Sequence, residues 1–150
     1  DVMKESMNVA KTLAWNLTDD KLKEEWLVYF ERTKCQGLHI HCPEGGISKD
    51  GPSAGTAITT AIYSLLHKQP IKNDIAITGE ITLQGNITAI GGLDIKIASG
   101  LRSGVKTFIY PKENSREFIQ WKEHNDKNDR NDIQFIEVSH ISEVLKHVFE

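Results

Sequence analysis

The sequence predicts an α/β (α+β) domain, a mixed sheet with flanking helices. Apolar strand-like runs alternate with amphipathic helical stretches along the whole chain. Clusters of Gly, Pro, Asn and Asp separate them. The chain has 150 residues, 39% hydrophobic and 26% charged, enough to bury the core of one domain. No internal repeat divides it, so residues 1–150 are read as a single domain.

The elements follow in order. Val2, Met3, Met7, Val9, Ala10, Leu13 and Ala14 recur at helical spacing over residues 2–16. Asp19 and Asp20 start a second helix that runs to about Thr33. "GLHIHC" reads as a short strand, and Pro52 opens a helix continuing through Leu66. "DIAITG" and "GNITAI" read as strands joined around Gly79 to Gly85. "LDIKIASGLRSG" is a helix stopped by Gly104, and "VKTFIY" a strand ended by Pro111. A helix "NSREFIQWKEH", a solvated loop "NDKNDRND", a strand "IQFIEV" and a last helix "SEVLKHVF" complete the chain.

Composition excludes several functions. A net charge of -3 leaves no basic footprint, so no nucleic-acid partner is expected. No apolar run approaches the roughly 18 residues of a membrane span, so no membrane partner is expected either. The N-terminal "DVMKESMNVAK" carries charges where a signal peptide would be apolar. Two cysteines, Cys35 and Cys42, do not make a disulfide framework; both read as reduced thiols of a reducing compartment.

The chemistry centres on "SKDGPSAGTAITTAIYSLLHKQ". Asp50, Gly51 and Pro52 make a turn directly before Ser53, and a helix follows. A serine there commonly caps the helix. Alternatively, the unpaired N–H groups of a helix start stabilise an alkoxide or an oxyanion, and a base makes the hydroxyl nucleophilic. A phosphate loop is disfavoured, because Lys49 precedes the glycines and Pro52 removes one N–H. His39 and His41 share one strand face but lack a third metal ligand. Ser103 and Lys106 form an isolated Ser-x-x-Lys without companion motifs. Lys96, flanked by Ile95 and Ile97, either reaches outward or is held inside as a base of lowered pKa.

The segments "HIHCPEGGISKDGPSAGTAITTAIYSLL" and "ITGEITLQGNITAIGGLDIKIASGLRSGVKTFIYPKEN" closely resemble the proteolytic domain of the Lon proteases. The motifs K-D-G-P-S-A-G, T-G-E-I-T-L, I-G-G-L-x-x-K and Y-P-x-E-N occur together, in the form of the A-type, ATP-dependent branch. The resemblance implies the Lon proteolytic fold and a serine endopeptidase with a Ser53–Lys96 dyad. Thr78 corresponds to the threonine expected to orient the lysine, Gly51 to a contributor to the oxyanion site, and Asp50 and Glu80 to supporting positions. It also implies polypeptide substrates, hexameric assembly of the intact protein and a cytoplasmic or mitochondrial-matrix location. This domain would need no cofactor or metal, ATP and Mg acting in an upstream ATPase domain.

The chain departs from the family at Ser48 and Ala89, each usually proline, at Gln84, usually arginine, and at Asp94-Ile95, usually a charged pair. The resemblance also implies strands preceding "DVMKES". Gln84 cannot make the charged contact of the usual arginine, and an interface without the ATPase ring would be small, so the 150-residue chain alone is expected to associate weakly. Alternatives to the ATP-dependent reading are a stand-alone Lon-like peptidase and a catalytically silent assembly module.

Overall fold

The computed structural model describes residues 1–35, 37–41, 51–125 and 132–150. Two helices come first, α1 (Val2–Asn16) and α2 (Asp20–Thr33), the second capped by the Asp19 carboxylate, which accepts from the Leu22 N–H. A 3-10 turn (Pro52–Ala54) leads into α3 (Gly55–His67). Then come β1 (Ile75–Ile77), β2 (Glu80–Ile81), β3 (Ile87–Thr88) and α4 (Leu93–Arg102). The chain continues through β4 (Thr107–Pro111), a 3-10 turn (Lys112–Asn114), α5 (Ser115–Asn125), β5 (Gln134–Val138) and α6 (Ile141–Leu145).

The sheet is parallel, in the order β1-β4-β5, and β2 and β3 form a separate antiparallel hairpin. The central strand β4 alternates, sending Ile109 to one face and Phe108 and Tyr110 to the other. Ile109 packs with Leu13 of α1, Ile87 of β3, Val138 of β5 and Ile141 and Val144 of α6. Phe108 and Tyr110 pack with Leu93 and Ile97 of α4 and with Phe118 and Trp121 of α5. Burying one such aliphatic side chain is worth about 1.5–3 kcal/mol, so both layers contribute to holding the sheet. A third cluster, Ala10 and Ala14 of α1 against Ile62 and Leu66 of α3, joins those two helices. Helices thus flank a parallel sheet, the α/β class expected. Among the described residues no helix is long and apolar enough to cross a membrane.

Three elements differ from expectation. Residues 37–41 form no strand, although Leu38 and Ile40 pack on the α1–α3 cluster while His39 and His41 are exposed. The alternation is present, but no strand among the described residues pairs with it, and a strand needs its ladder. "DIAITG" and "GNITAI" do not pair with each other: β1 pairs with β4, and Ile87–Thr88 pairs with Glu80–Ile81. The last helix ends at Leu145 instead of reaching Phe149. Its tail folds back on residues 70–72 through an Ile71–Phe149 bridge, with the Lys72 N–H donating to the Val148 carbonyl.

Gly55 sets how closely these layers approach. A Cβ there would lie 2.7 Å from Ile81 Cγ2 and 2.9 Å from Ser6 Oγ, so the start of α3 touches both β2 and α1. Gly55→Val should therefore destabilise the fold by about 1–3 kcal/mol, read as a lower urea midpoint at unchanged slope. A Cβ at Gly91 would meet nothing within 4 Å, so Gly91→Ala should stay within about 0.5 kcal/mol.

Candidate active site

The turn before α3 is shaped by Gly51, which is buried at φ 124 and ψ 152, a conformation that side chains other than hydrogen resist. Pro52 then opens the 3-10 turn, and Ser53 lies half-buried in its middle. Neither N-cap position, Gly51 or Ala54, is served by a side-chain hydrogen bond. The hydroxyl of Ser53 is therefore not spent on capping. It instead meets the amine of Lys96, whose Nζ donates to Ser53 Oγ at 2.6 Å.

Thr78 completes the group. Its Oγ1 is 3.5 Å from Lys96 Nζ, at the outer limit of a hydrogen bond. The Thr78 N–H donates to the Ile109 carbonyl of β4, which registers the threonine on the sheet. Gly79 then stitches this segment to the serine turn. Its N–H donates to the Ser53 carbonyl at 2.9 Å, and its own carbonyl accepts from both the N–H and the hydroxyl of Thr56, at 3.1 and 2.9 Å. A Cβ on Gly79 would fall 2.6 Å from Ile87 Cγ2 and 2.9 Å from Thr56 Oγ1, and its φ is 153. Only glycine fits that seam.

Lys96 projects from α4 on the same stripe as Ser99, Gly100 and Ser103, spaced by three, four and seven residues. With Ala57, Ala76 and Phe108 these line a cleft of about 390 Å³ beside Ser53 and Thr78. Burial in this wall pushes the Lys96 ammonium below its ordinary pKa of 10.5. The sequence reading assigned the desolvation to the flanking isoleucines. Ile97 is fully buried, but Ile95 is 70% exposed. Adjacent residues of a helix point to different faces, so the wall across the cleft, rather than the sequence neighbours, supplies the apolar surroundings.

The remaining candidates fall as follows. Glu80 lies half-buried in β2 opposite Thr88, with no hydrogen bond or ion pair to Ser53 or Lys96. Asp50, Lys49, Ser48 and Cys42 lie outside the described residues. The rings of His39 and His41 stack at 6.5 Å, and among the described residues no three His, Cys, Asp or Glu side chains are grouped to hold a metal. Ser103 donates to the Ser99 carbonyl and Lys106 to Asp132, so the Ser103–Lys106 pair does not meet. Cys35 is exposed as a free thiol. A larger hollow of about 760 Å³ runs along α2 and contains neither Ser53 nor Lys96. Sequence reasoning gave no role to Thr56, Gly79 or Asn114; the glycine of T-G-E and the asparagine of Y-P-x-E-N were the visible signals.

Lys96 should titrate abnormally whatever chemistry it serves. An NMR titration of its side-chain amine should show a midpoint below the ordinary lysine value of 10.5. A coincident midpoint would show that the cleft does not desolvate it.

Comparison with known proteins identifies the lineage. Residues 1–150 match the Lon protease (S16) C-terminal proteolytic domain. The chain is 42% identical to a Lon protease of Elusimicrobium minutum over 150 residues, covering 100% of this chain and 17% of that protein. It is 43% identical to a Lon protease of Vibrio parahaemolyticus over 150 residues, covering 100% of this chain and 18% of that one. A Lon protease of Fervidobacterium nodosum is 44% identical over 114 residues, 76% of this chain and 13% of its own length. The chain thus spans less than a fifth of the length of these curated relatives. On both the family match and these identities, the chain belongs to the Lon protease family and corresponds to its C-terminal proteolytic domain.

Proposed function

We propose that this chain is a serine peptidase domain in which Ser53 is the nucleophile and Lys96 the general base. The observation that carries the reading is the 2.6 Å contact between Lys96 Nζ and Ser53 Oγ in a half-buried cleft. A hydroxyl attacks a peptide carbonyl only when a base removes its proton in the same step. A lysine can do so when it is neutral, and desolvation of Lys96 raises the neutral fraction.

The reaction follows from the residues. Neutral Lys96 takes the Ser53 proton as Oγ bonds to the substrate carbonyl carbon. Backbone N–H groups of the turn, Gly51 among them, receive the oxyanion. The C–N bond breaks, the amine leaves with the proton from Lys96, and an acyl-Ser53 ester remains. Lys96 then takes a proton from the water that attacks the ester, and returns it to Ser53 Oγ as the C–O bond breaks and the acid is freed. Thr78 holds the amine towards Ser53 through its hydroxyl. Substrates are unfolded or delivered polypeptides, since a shallow cleft needs an extended chain. ATP and Mg act on an ATPase region of the intact protein.

A catalytically silent assembly module would have no reason to hold Lys96 against Ser53. Lys96→Arg separates the readings. Guanidinium stays protonated, so peptide hydrolysis should fall by at least about 100-fold, and Ser53→Ala should abolish it. In the unmodified protein kcat should rise with pH through the Lys96 pKa, which burial sets below 10.5, because the neutral amine is the active form. A serine-directed boronate should bind at Ser53. Retention of activity in Lys96→Arg would remove Lys96 as the base.

Assembly of the intact protein as a hexamer is part of the same proposal. The 150-residue chain alone should sediment largely as a monomer at low micromolar concentration. The usual arginine at the Gln84 position would contribute an exposed pair worth only about 0–1 kcal/mol at each boundary. A persistent hexamer in a dilution series would show stronger contacts elsewhere.

A further inference from the structure

We propose that Asn114 is a positioning residue for the reaction: its side-chain amide clamps the main chain of Ile90 and so fixes the placement of α4 and of Lys96. The inference rests on the Ser53–Lys96 reading above.

The clamp is closed on both sides. Asn114 Oδ1 accepts from the Ile90 N–H and Asn114 Nδ2 donates to the Ile90 carbonyl, both at 2.9 Å. Nδ2 also donates to Glu117 Oε1 at 3.1 Å, and the asparagine is only 1% exposed. In so dry a place a pair of amide bonds has no competing water, and losing one leaves a buried group unpaired. Among the described residues the segment it holds has no other polar anchor at its end. Gly91 and Gly92 follow Ile90 with nothing near their Cβ positions, and the Gly92 N-cap of α4 receives no side-chain hydrogen bond. The Lys96 N–H donates to the Gly92 carbonyl, so the first turn of α4 carries the lysine directly on from the clamped residue.

The origin of the clamp explains its use. Asn114 ends the 3-10 turn that leaves β4, and the Ile109 carbonyl of β4 holds the Thr78 N–H. Thr78 and Lys96 are thereby referenced to the same strand. Packing of Leu93 and Ile97 on Phe108 and Tyr110 fixes the distance of α4 from the sheet. Apolar contacts are non-directional, however, and leave sliding along the strand weakly resisted. Two directional hydrogen bonds at the entrance of the helix remove that freedom. A displacement of about 1 Å in a catalytic group can cost on the order of 100-fold in rate.

The test uses the full chain with a peptide substrate at a temperature well below the unfolding midpoint. Asn114→Ala opens the clamp; Asn114→Asp keeps the volume and the acceptor to the Ile90 N–H but loses the donor to its carbonyl. Both should lower kcat by on the order of 10- to 100-fold with KM little changed. Both should also move the rise of kcat to higher pH. A loosened α4 exposes Lys96 to water and restores its ordinary basicity. Among the described residues the groups facing that amine are the Ser53 and Thr78 hydroxyls; Asp94 on α4 and Glu80 in β2 make no ion pair with it. Glu117→Gln preserves the acceptor to Asn114 and should match the parent protein. Loss of activity in proportion to the unfolded fraction, with an unmoved pH profile, would overturn the inference. So would failure of both variants to fold, which would make Asn114 a residue of folding alone. If the parent protein itself hydrolyses peptides independently of Ser53, the functional reading fails instead.

Discussion

The site depends on one seam, the three hydrogen bonds that Gly79 makes with the start of α3. Through it the Ser53 carbonyl, the Thr56 N–H and the Thr56 hydroxyl are all satisfied by a single glycine that follows Thr78. Without the seam the serine turn and the threonine would belong to separate elements, free to move by the width of a side chain. With it they form one rigid piece. The requirement for glycine is steric: Ile87 of the hairpin and Thr56 of the helix occupy the space a Cβ would need. Buried backbone groups that lose a partner are costly, so the seam resists opening from either side.

Lys96 arrives from the opposite direction, on a helix buried against the other face of β4. The central strand is therefore the common reference of the site. Its Ile109 carbonyl holds Thr78, its Phe108 and Tyr110 seat α4, and the turn beyond it closes on Ile90. β1, the edge strand among the described residues, brings Ala76 and Ile77 to the cleft floor.

The lowered basicity of Lys96 has the same origin. Only part of the side chain is covered, and no carboxylate pairs with it among the described residues. A partner carboxylate would hold the amine charged; the Ser53 and Thr78 hydroxyls that meet it are neutral. The neutral partners around the amine thus matter as much as the apolar wall.

Much of this was legible in the residues alone. The period of the apolar positions marks α1, α2 and α3, and short apolar runs bounded by turn residues mark β4 and β5; β4 is buried on both faces, so it reads as a run. The motif around Ser53, with Pro52 before a helix, marks the turn, and family resemblance names Thr78 and Lys96. Tertiary structure decided the rest, where local pattern and global pairing disagree. Residues 37–41 alternate as a strand would, yet none among the described residues pairs with them. Residues 146–149 could continue a helix, yet they fold back to meet Ile71 and Lys72. The isoleucines beside Lys96 looked like its desolvating walls, yet Ile95 faces solvent, since a helix sends neighbours to different sides. Periodicity records which residues face inward; it carries no record of which distant segment meets them. That is why the sequence could name Ser53 and Lys96, while the contact between them, the Gly79 seam and the Asn114 clamp required the folded chain.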